Sequence, residues 1–204
     1  MGEEVVVPFA AGAAHAVSAV RGIVIASSIL SLRAHGYYER YVERLSDEYR
    51  DRILTAIATD WLGVDVVMAH YEACETLGLA APVQRTIGEE VGDRAQKTFF
   101  GFLIRSARTA GVTPWTAFGY AHRARERMYQ GGDVSVVKVG PKEARLTCTG
   151  LPFVRIPYFR HGFIGVQAAG LRLSRRRCTS GRSPSSGRTP RWSRRSRGCS
   201  VSAR

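Results

Sequence analysis

A histidine and a cysteine four residues apart form the most chemically suggestive pair in the chain, His70 and Cys74 in "MAHYEACET". This spacing places both side chains on one face of a helix, where an imidazole and a thiolate can bind zinc. Two ligands do not complete a metal site, and the further candidates are scattered along the chain: His15, His122, Cys148 and His161. The sequence therefore favours an ordinary helix with a half-buried histidine and a core cysteine. A metal-dependent enzyme that uses this face remains an alternative.

A second group of polar residues lies in "RIPYFRHG", where Arg155, Tyr158, Arg160 and His161 cluster at the start of the last predicted helix. Helix N-termini bind anions through free amide groups, so one hypothesis is a site for a small acidic ligand. The other is that these side chains are simply displayed on the surface at a helix cap. The second interpretation is favoured.

Acidic residues surround two glycines in "IGEEVGDR", where Gly88 and Gly92 stand four apart beside Glu89, Glu90 and Asp93. One interpretation is a functional carboxylate cluster. The other is a close helix–helix contact over the glycines, with the acidic residues on the solvated face. We favour the packing interpretation.

Aromatic residues in the second half of the chain can line a pocket for a small apolar ligand between helices and sheet. The residues are Phe99, Phe102, Trp115, Phe118 and Phe163. The same side chains can equally fill the core. No phosphate-binding glycine loop, GxSxG or HExxH motif occurs, so no motif names a reaction and we predict no cofactor.

The elements that position these residues are mostly helical. An apolar run at 23–32 fits a buried strand or helix that ends at His35-Gly36. Helices are predicted over 37–45, from Ser46 to about 57, over 63–79 and 82–111, from Thr113-Pro114 to 130, and from near Pro157. Two alternating segments around "GPKE" predict a hairpin over 133–149. The expected fold is a helix-rich α+β domain with a small antiparallel hairpin near its C-terminal end, followed by one helix and a disordered tail.

The first 20 residues are predicted to be a mobile apolar leader. Glu3 and Glu4 stand where a signal peptide needs basic residues. Pro8 and Arg21 interrupt the apolar stretch, so it does not predict a membrane-spanning helix. The chain also has four cysteines and no CxxC pair, which is typical of a reducing cytoplasm.

The positive charge is concentrated in the last 30 residues. The formal net charge is +13, yet residues 175–204 contain ten arginines and no acid, which leaves the body at +3. One hypothesis is nucleic-acid binding through this tail, although its single aromatic, Trp192, is too few for a base-stacking surface. Without the tail, nothing in the charge balance points to nucleic acid.

A frameshift is the other explanation of the tail. Arginine outnumbers lysine 27 to 3, which indicates a GC-rich gene. Shifting the reading frame by one base converts serine codons into apolar ones, and residues 178–186 then alternate like a half-buried strand. A lone hairpin needs a further strand for stability, expected after the last helix. We therefore predict a frameshift near residue 174, with residues 21–174 as the folded domain. The nucleotide sequence around codon 174 tests this prediction.

Residues 21–173 resemble an uncharacterised family expanded as paralogues in myxobacteria, and more distantly the 4-vinyl-reductase and haem-NO-binding-like α+β domains. The resemblance is carried by "IGEEVG", the "GG" before the hairpin, "ARL" in its second strand and the glycine-containing helix "PYFRHGFIGV". It implies a non-enzymatic sensory or assembly module, with an unknown protein partner, a small ligand or a second copy of the chain as its partner. The Tyr-x-Ser-x-Arg element of the haem-binding members is missing, so haem is not expected.

Overall fold

The structure is a computed structural model that describes residues 3–10, 15–97, 115, 118–119, 121–141, 143–175, 191–195 and 198–203, with side chains up to residue 170. The described helices are α1 (Gly22–Ala34), α2 (Tyr38–Arg44), α3 (Asp47–Leu54), α4 (Val64–Glu75), α5 (Ala81–Ala95), α6 (Ala121–Met128) and α7 (Pro157–Arg175), with a 3₁₀ turn at Pro152–Arg155. The strands are β1 (Glu4–Val7), β2 (Ala19–Arg21), β3 (Trp61–Gly63), β4 (Tyr129–Gln130), β5 (Asp133–Gly140), β6 (Glu143–Thr149), β7 (Arg191–Arg195) and β8 (Gly198–Ala203). The predicted helix-rich α+β class is confirmed.

The predicted hairpin is the centre of an antiparallel sheet with strand order β1-β5-β6-β8-β7. β5 and β6 pair from Asp133 opposite Thr149 to Gly140 opposite Glu143, which confirms the hairpin at 133–149. β1 adds to the outer side of β5. Residues 4–7 therefore belong to the sheet, which differs from the prediction of a mobile leader.

Two strands that follow the last helix extend the sheet beyond the hairpin, whereas the sequence predicted that the strand expected there is lost through a frameshift. The backbone of β8 runs antiparallel to β6 and places Cys199 opposite Cys148, and β7 pairs with β8. These two strands lie within the predicted disordered tail, while residues 176–190 lie outside the described residues. The frameshift stays a prediction about the gene.

A second, three-stranded sheet with the order β3-β2-β4 was not predicted. Its strands are two or three residues long, too short to show an alternating pattern. Gly131, at φ 86°, lies after β4, and a methyl group on it would collide with the Ala16 carbonyl. The predicted helix stop at Gly131-Gly132 is therefore a place where residues 15–17 pass close to the backbone.

Helix α1 is buried on almost every side, which explains why the apolar run fitted a strand as well as a helix. Its buried residues include Ile25, Ile29 and Leu32, together with three serines, Ser27, Ser28 and Ser31. An amphipathic period appears only when one face meets water. Helix α1 ends at the predicted place, with Gly36 at φ 75°.

Helices α5 and α7 cross at glycines. A methyl group on Gly88 would collide with the Gly162 backbone, and one on Gly165 with the Arg85 carbonyl. A methyl group on Gly92 would lie 2.9 Å from Ala169 Cβ. The close helix contact predicted over the glycines of "IGEEVGDR" is confirmed, because these glycines let the two backbones touch. Glu90 does not lie on a solvated face as predicted, since it contacts Ser31 and His35 of the neighbouring segment.

Within the described ranges, no helix combines the length and the apolar character needed to cross a bilayer.

Candidate functional site

Five polar side chains from four helices meet in the middle of the helical layer. They are Ser28 on α1, Tyr41 on α2, His70 and Cys74 on α4, and Tyr158 on α7, and we call them the core polar cluster. None is more than 4% exposed. His70 is fully buried, so the prediction of a half-buried histidine is wrong in degree.

Both nitrogens of the His70 ring have partners inside the cluster. The Tyr41 hydroxyl lies 2.6 Å from His70 Nδ1, and the Ser28 hydroxyl lies 3.1 Å from Nε2. If the phenol donates to Nδ1, the ring proton lies on Nε2 and is donated to Ser28 Oγ. Cys74 Sγ is 3.7 Å from the same nitrogen. These contacts hold the imidazole in one orientation.

Burial keeps the cluster uncharged at neutral pH. It lowers the pKa of His70 to about 3. It raises the pKa of Tyr41 and of Cys74 well above their ordinary values. A general base needs a pKa near the working pH and reach to a substrate, and a nucleophilic cysteine needs its thiolate. In the described arrangement His70 does not meet the first requirement and Cys74 does not meet the second.

The hydroxyl of Tyr158 is the one weakly partnered group of the cluster. It is buried without a hydrogen-bond partner of acceptable geometry. Burial raises the pKa of Tyr158, Cys74 adds to the rise, and a weak hydrogen-bond contact with the Ser28 hydroxyl opposes it. A buried polar group without a partner costs about 1–3 kcal/mol, and the weak contacts with Ser28 and Cys74 offset part of this cost.

Sequence reasoning found only part of this cluster. His70 and Cys74 were singled out as a pair, whereas Tyr158 was assigned to the anion hypothesis. Ser28 and Tyr41 were missed because they approach His70 across 42 and 29 residues of chain. The only available signal was indirect, a run of small hydroxyl residues inside an apolar helix.

The start of α7 already carries a carboxylate from the protein itself. Glu75 Oε2 accepts a hydrogen bond of 2.6 Å from the backbone amide of Tyr158. Arg155 donates to Glu72 at 3.3 Å. The position that an anion would take at this helix end is therefore held by α4.

The other two residues predicted to bind an anion, Arg160 and His161, lie in different environments. Arg160 donates to the carbonyl oxygens of Val154 and Arg155. His161 has a buried Nδ1 without a partner, and burial together with Arg85 and Arg160 lowers its pKa. The four predicted residues are neighbours in sequence but do not converge on one point.

The predicted aromatic pocket is divided. Phe99 and Phe102 lie outside the described residues. Phe163 stacks on Phe159, 5.5 Å between centroids, inside the helical core. Trp115 and Phe118 instead pack in a separate cluster on the sheet. The structure therefore does not bring Phe163 together with the other two described residues.

Trp115 and Phe118 form what we call the sheet-side aromatic pair. Their ring centroids are 6.0 Å apart, and both side chains are half-buried. They rest on a small apolar patch of the sheet that includes Val7 and Val136. The Lys138 ammonium lies 5.2 Å from the Trp115 ring centroid, within the range of a cation–π contact. This is a partly open aromatic surface with a cation beside it.

The carboxylate of Glu90 links α5 to α1. It accepts 2.6 Å from the Ser31 hydroxyl and lies 3.0 Å from His35 Nε2. Arg94 reaches the same carboxylate at 3.4 Å and donates to Ser31 Oγ at 2.6 Å. Burial alone would raise the pKa of Glu90, but the contacts with Ser31, His35 and Arg94 outweigh it and lower the pKa. The carboxylate is thus committed to packing.

Replacing Glu90 with glutamine should lower the free energy of unfolding by about 1 kcal/mol at neutral pH, because charge-assisted bonds at a half-exposed site weaken. The pKa of Glu90 is lower in the folded protein than in the unfolded chain, where it is near 4.3. The ionised carboxylate therefore stabilises the folded state at pH values above about 4.3. The difference from wild type should therefore fade as pH drops below that value. Urea unfolding measures it, with the exposed Glu39→Gln as control. Equal losses in the two variants would show that Glu90 makes no special contribution.

Among the described residues no three His, Cys, Asp or Glu side chains group as metal ligands. Comparison of the chain with protein-family models, curated proteins and solved structures finds no match. The resemblance to the myxobacterial paralogues and to the 4-vinyl-reductase-like domains stays a prediction.

Proposed function

We propose that the protein is a non-enzymatic cytoplasmic domain with a sensory or protein-interaction role, and that the sheet-side aromatic pair binds a small, largely apolar ligand. The observation that carries the proposal is the half-buried Trp115–Phe118 pair beside Lys138. Ligand sites of this kind combine apolar and aromatic walls with few polar groups.

The state of the core polar cluster supports a role without catalysis. His70 is the residue best suited to acid–base chemistry, but it is fully buried and uncharged, and both ring nitrogens are occupied. Burial also keeps Cys74 as a thiol. The cluster orients helices and does not present a reactive group.

The chemistry of the surface defines the ligand class. Two aromatic rings favour a flat apolar body, through stacking and burial of apolar area. Lys138 favours an anionic group on that body, which would compete with Glu4 for the ammonium, now 3.0 Å from Glu4 Oε2. A small aromatic or aliphatic acid fits these conditions.

Truncating Trp115 should weaken binding of such a ligand about tenfold or more, because losing a stacked aromatic costs roughly 1.5 kcal/mol or more. The probe is 1-anilinonaphthalene-8-sulfonate, an aromatic anion whose fluorescence rises on binding. Its affinity is measured for the wild type, Trp115→Ala and Trp61→Ala. Trp61 is a matched control, since it also has a cation over its ring, Arg21 at 3.8 Å, but lies on the other sheet.

The proposal expects a loss of affinity only in Trp115→Ala, with the far-ultraviolet circular dichroism of both variants unchanged. Equal affinity in all three proteins, or loss in Trp61→Ala alone, would refute the assignment of the site.

A further inference from the structure

We propose that His122 is a pH-sensitive switch that holds the N-terminal strand β1 on the sheet while its ring is charged and loosens it when the ring loses its proton. The His122 switch consists of this ring on α6, the Asp133 carboxylate at the start of β5, and the backbone of Pro8 and Ala10 directly after β1. Three segments that are distant in sequence therefore meet at one titratable side chain.

The carboxylate of Asp133 is the buried part of the switch. It is only 5% exposed, and it accepts hydrogen bonds from the backbone amides of Val134 at 2.7 Å and Ala10 at 2.8 Å. A buried carboxylate also needs a cation to offset the cost of its charge. Its Oδ1 atom lies 3.5 Å from Nδ1 of His122, which is the titratable group placed to provide that charge.

The His122 ring faces an acceptor oxygen on each side. Its Nε2 lies 2.7 Å from the Pro8 carbonyl oxygen, so this nitrogen must donate a proton. Its Nδ1 faces the Asp133 carboxylate, and in a neutral ring it would present a lone pair to that oxygen. Only the doubly protonated imidazolium has an N–H group for each acceptor. The observed geometry therefore suits the charged ring, and loss of one proton removes the attraction to Asp133.

Several charged groups surround α6, and Asp133 is the one that contacts the ring. On β2, Arg21 donates to two backbone carbonyls, and on β5, Lys138 pairs with Glu4. The neighbouring β4 has Tyr129, whose pKa is raised by burial. The charged residues of α6 itself are Arg123, Arg125, Glu126 and Arg127. In the part of the chain that the structure describes, Asp133 is therefore the charged partner that responds to the state of the ring.

The switch acts on a strand at the edge of the sheet. In the described sheet β1 has β5 as its one neighbour. Its last residue, Val7, is buried against Val136, on the apolar patch under Trp115 and Phe118. Loosening residues 8–10 would free this end of β1 and remove one wall of that patch. The consequence for a ligand rests on the proposed function, whereas the switch itself does not.

The test is amide hydrogen exchange of the full chain without any ligand, followed by NMR between about pH 5.5 and 8.5. Protection factors are corrected for the intrinsic pH dependence of exchange. The protection of the Ala10 amide should fall about fivefold as pH rises, the size expected from losing a partly exposed ion pair. Global unfolding does not mimic this result, because burial of His70 destabilises the fold on acidification, in the opposite direction.

Two variants and one wild-type observation complete the test. His122→Gln can still donate to Pro8 but has no charge to lose, so its Ala10 protection should be low and independent of pH. His15→Gln changes an exposed histidine and should keep the wild-type response. In the wild type, the Ala10 amide shift should follow the titration of the His122 ring, which needs no variant. A ring that keeps one charge state over this range, a ring titration without any change at Ala10, or a full response in His122→Gln would overturn the proposal.

Discussion

Substituting Gly88 with alanine should lower the free energy of unfolding by about 2 kcal/mol, because the added methyl group overpacks the crossing of α5 and α7. The methyl would land on the Gly162 backbone. A backbone carbonyl cannot swing aside as a side chain can, so α5 and α7 must separate. The gain of about 1 kcal/mol from better helix propensity does not offset this.

Gly162 provides the matched control, because it lies on the opposite helix of the same crossing. Its added methyl would meet only the Gln84 carbonyl at 3.9 Å, an ordinary contact. Gly162→Ala should therefore leave stability unchanged or raise it by about 0.5–1 kcal/mol. Urea unfolding of both variants gives the comparison. Equal free energies of unfolding would contradict the close contact between α5 and α7.

Acidification should destabilise the protein through His70. The histidine has a folded-state pKa of about 3, and the ordinary value in an unfolded chain is near 6.5. Between these values the unfolded chain binds one proton more than the folded one. The stabilisation is therefore complete above about pH 6.5 and is lost as the pH falls toward 3, by up to about 1.4 kcal/mol per pH unit.

The measurement is the free energy of unfolding between pH 7 and 4.5 for wild type, His70→Gln and Ser28→Ala. The free energy of unfolding of His70→Gln should depend less steeply on pH than that of the wild type, by the equivalent of about one bound proton. Ser28→Ala should be less stable than wild type, since it removes a partner of the buried ring, yet keep the wild-type slope. Parallel curves for wild type and His70→Gln would contradict the neutral, sealed imidazole.

The fold could be predicted where local signals were strong. The hairpin at 133–149 has two alternating strands around a clear turn, and α7 begins at the expected Pro157. By contrast, β1 and β2 have only four and three residues. Their pairing depends on partners 40 or more residues away, so no local pattern indicates them.

The candidate sites also depended on contacts between distant segments, which the sequence pattern alone does not reveal. The spacing of His70 and Cys74 indicated one helix face, but whether that face met water depended on α1, α2 and α7 packing over it. The aromatic residues were predicted from their type alone. Type does not say which side of the molecule a ring faces, and Phe163 lies in the helical core while Trp115 lies on the sheet.

The central claim is that ligand binding belongs to the sheet-side aromatic pair and not to the core polar cluster. The most direct measurement is an amide chemical-shift map recorded while 1-anilinonaphthalene-8-sulfonate is added to the ¹⁵N-labelled protein. We expect the shifts to concentrate at Trp115, Phe118 and the neighbouring strand residue Lys138, with the amides of α4 unchanged. Shifts centred on His70 and Cys74, with Trp115 unaffected, would contradict the claim.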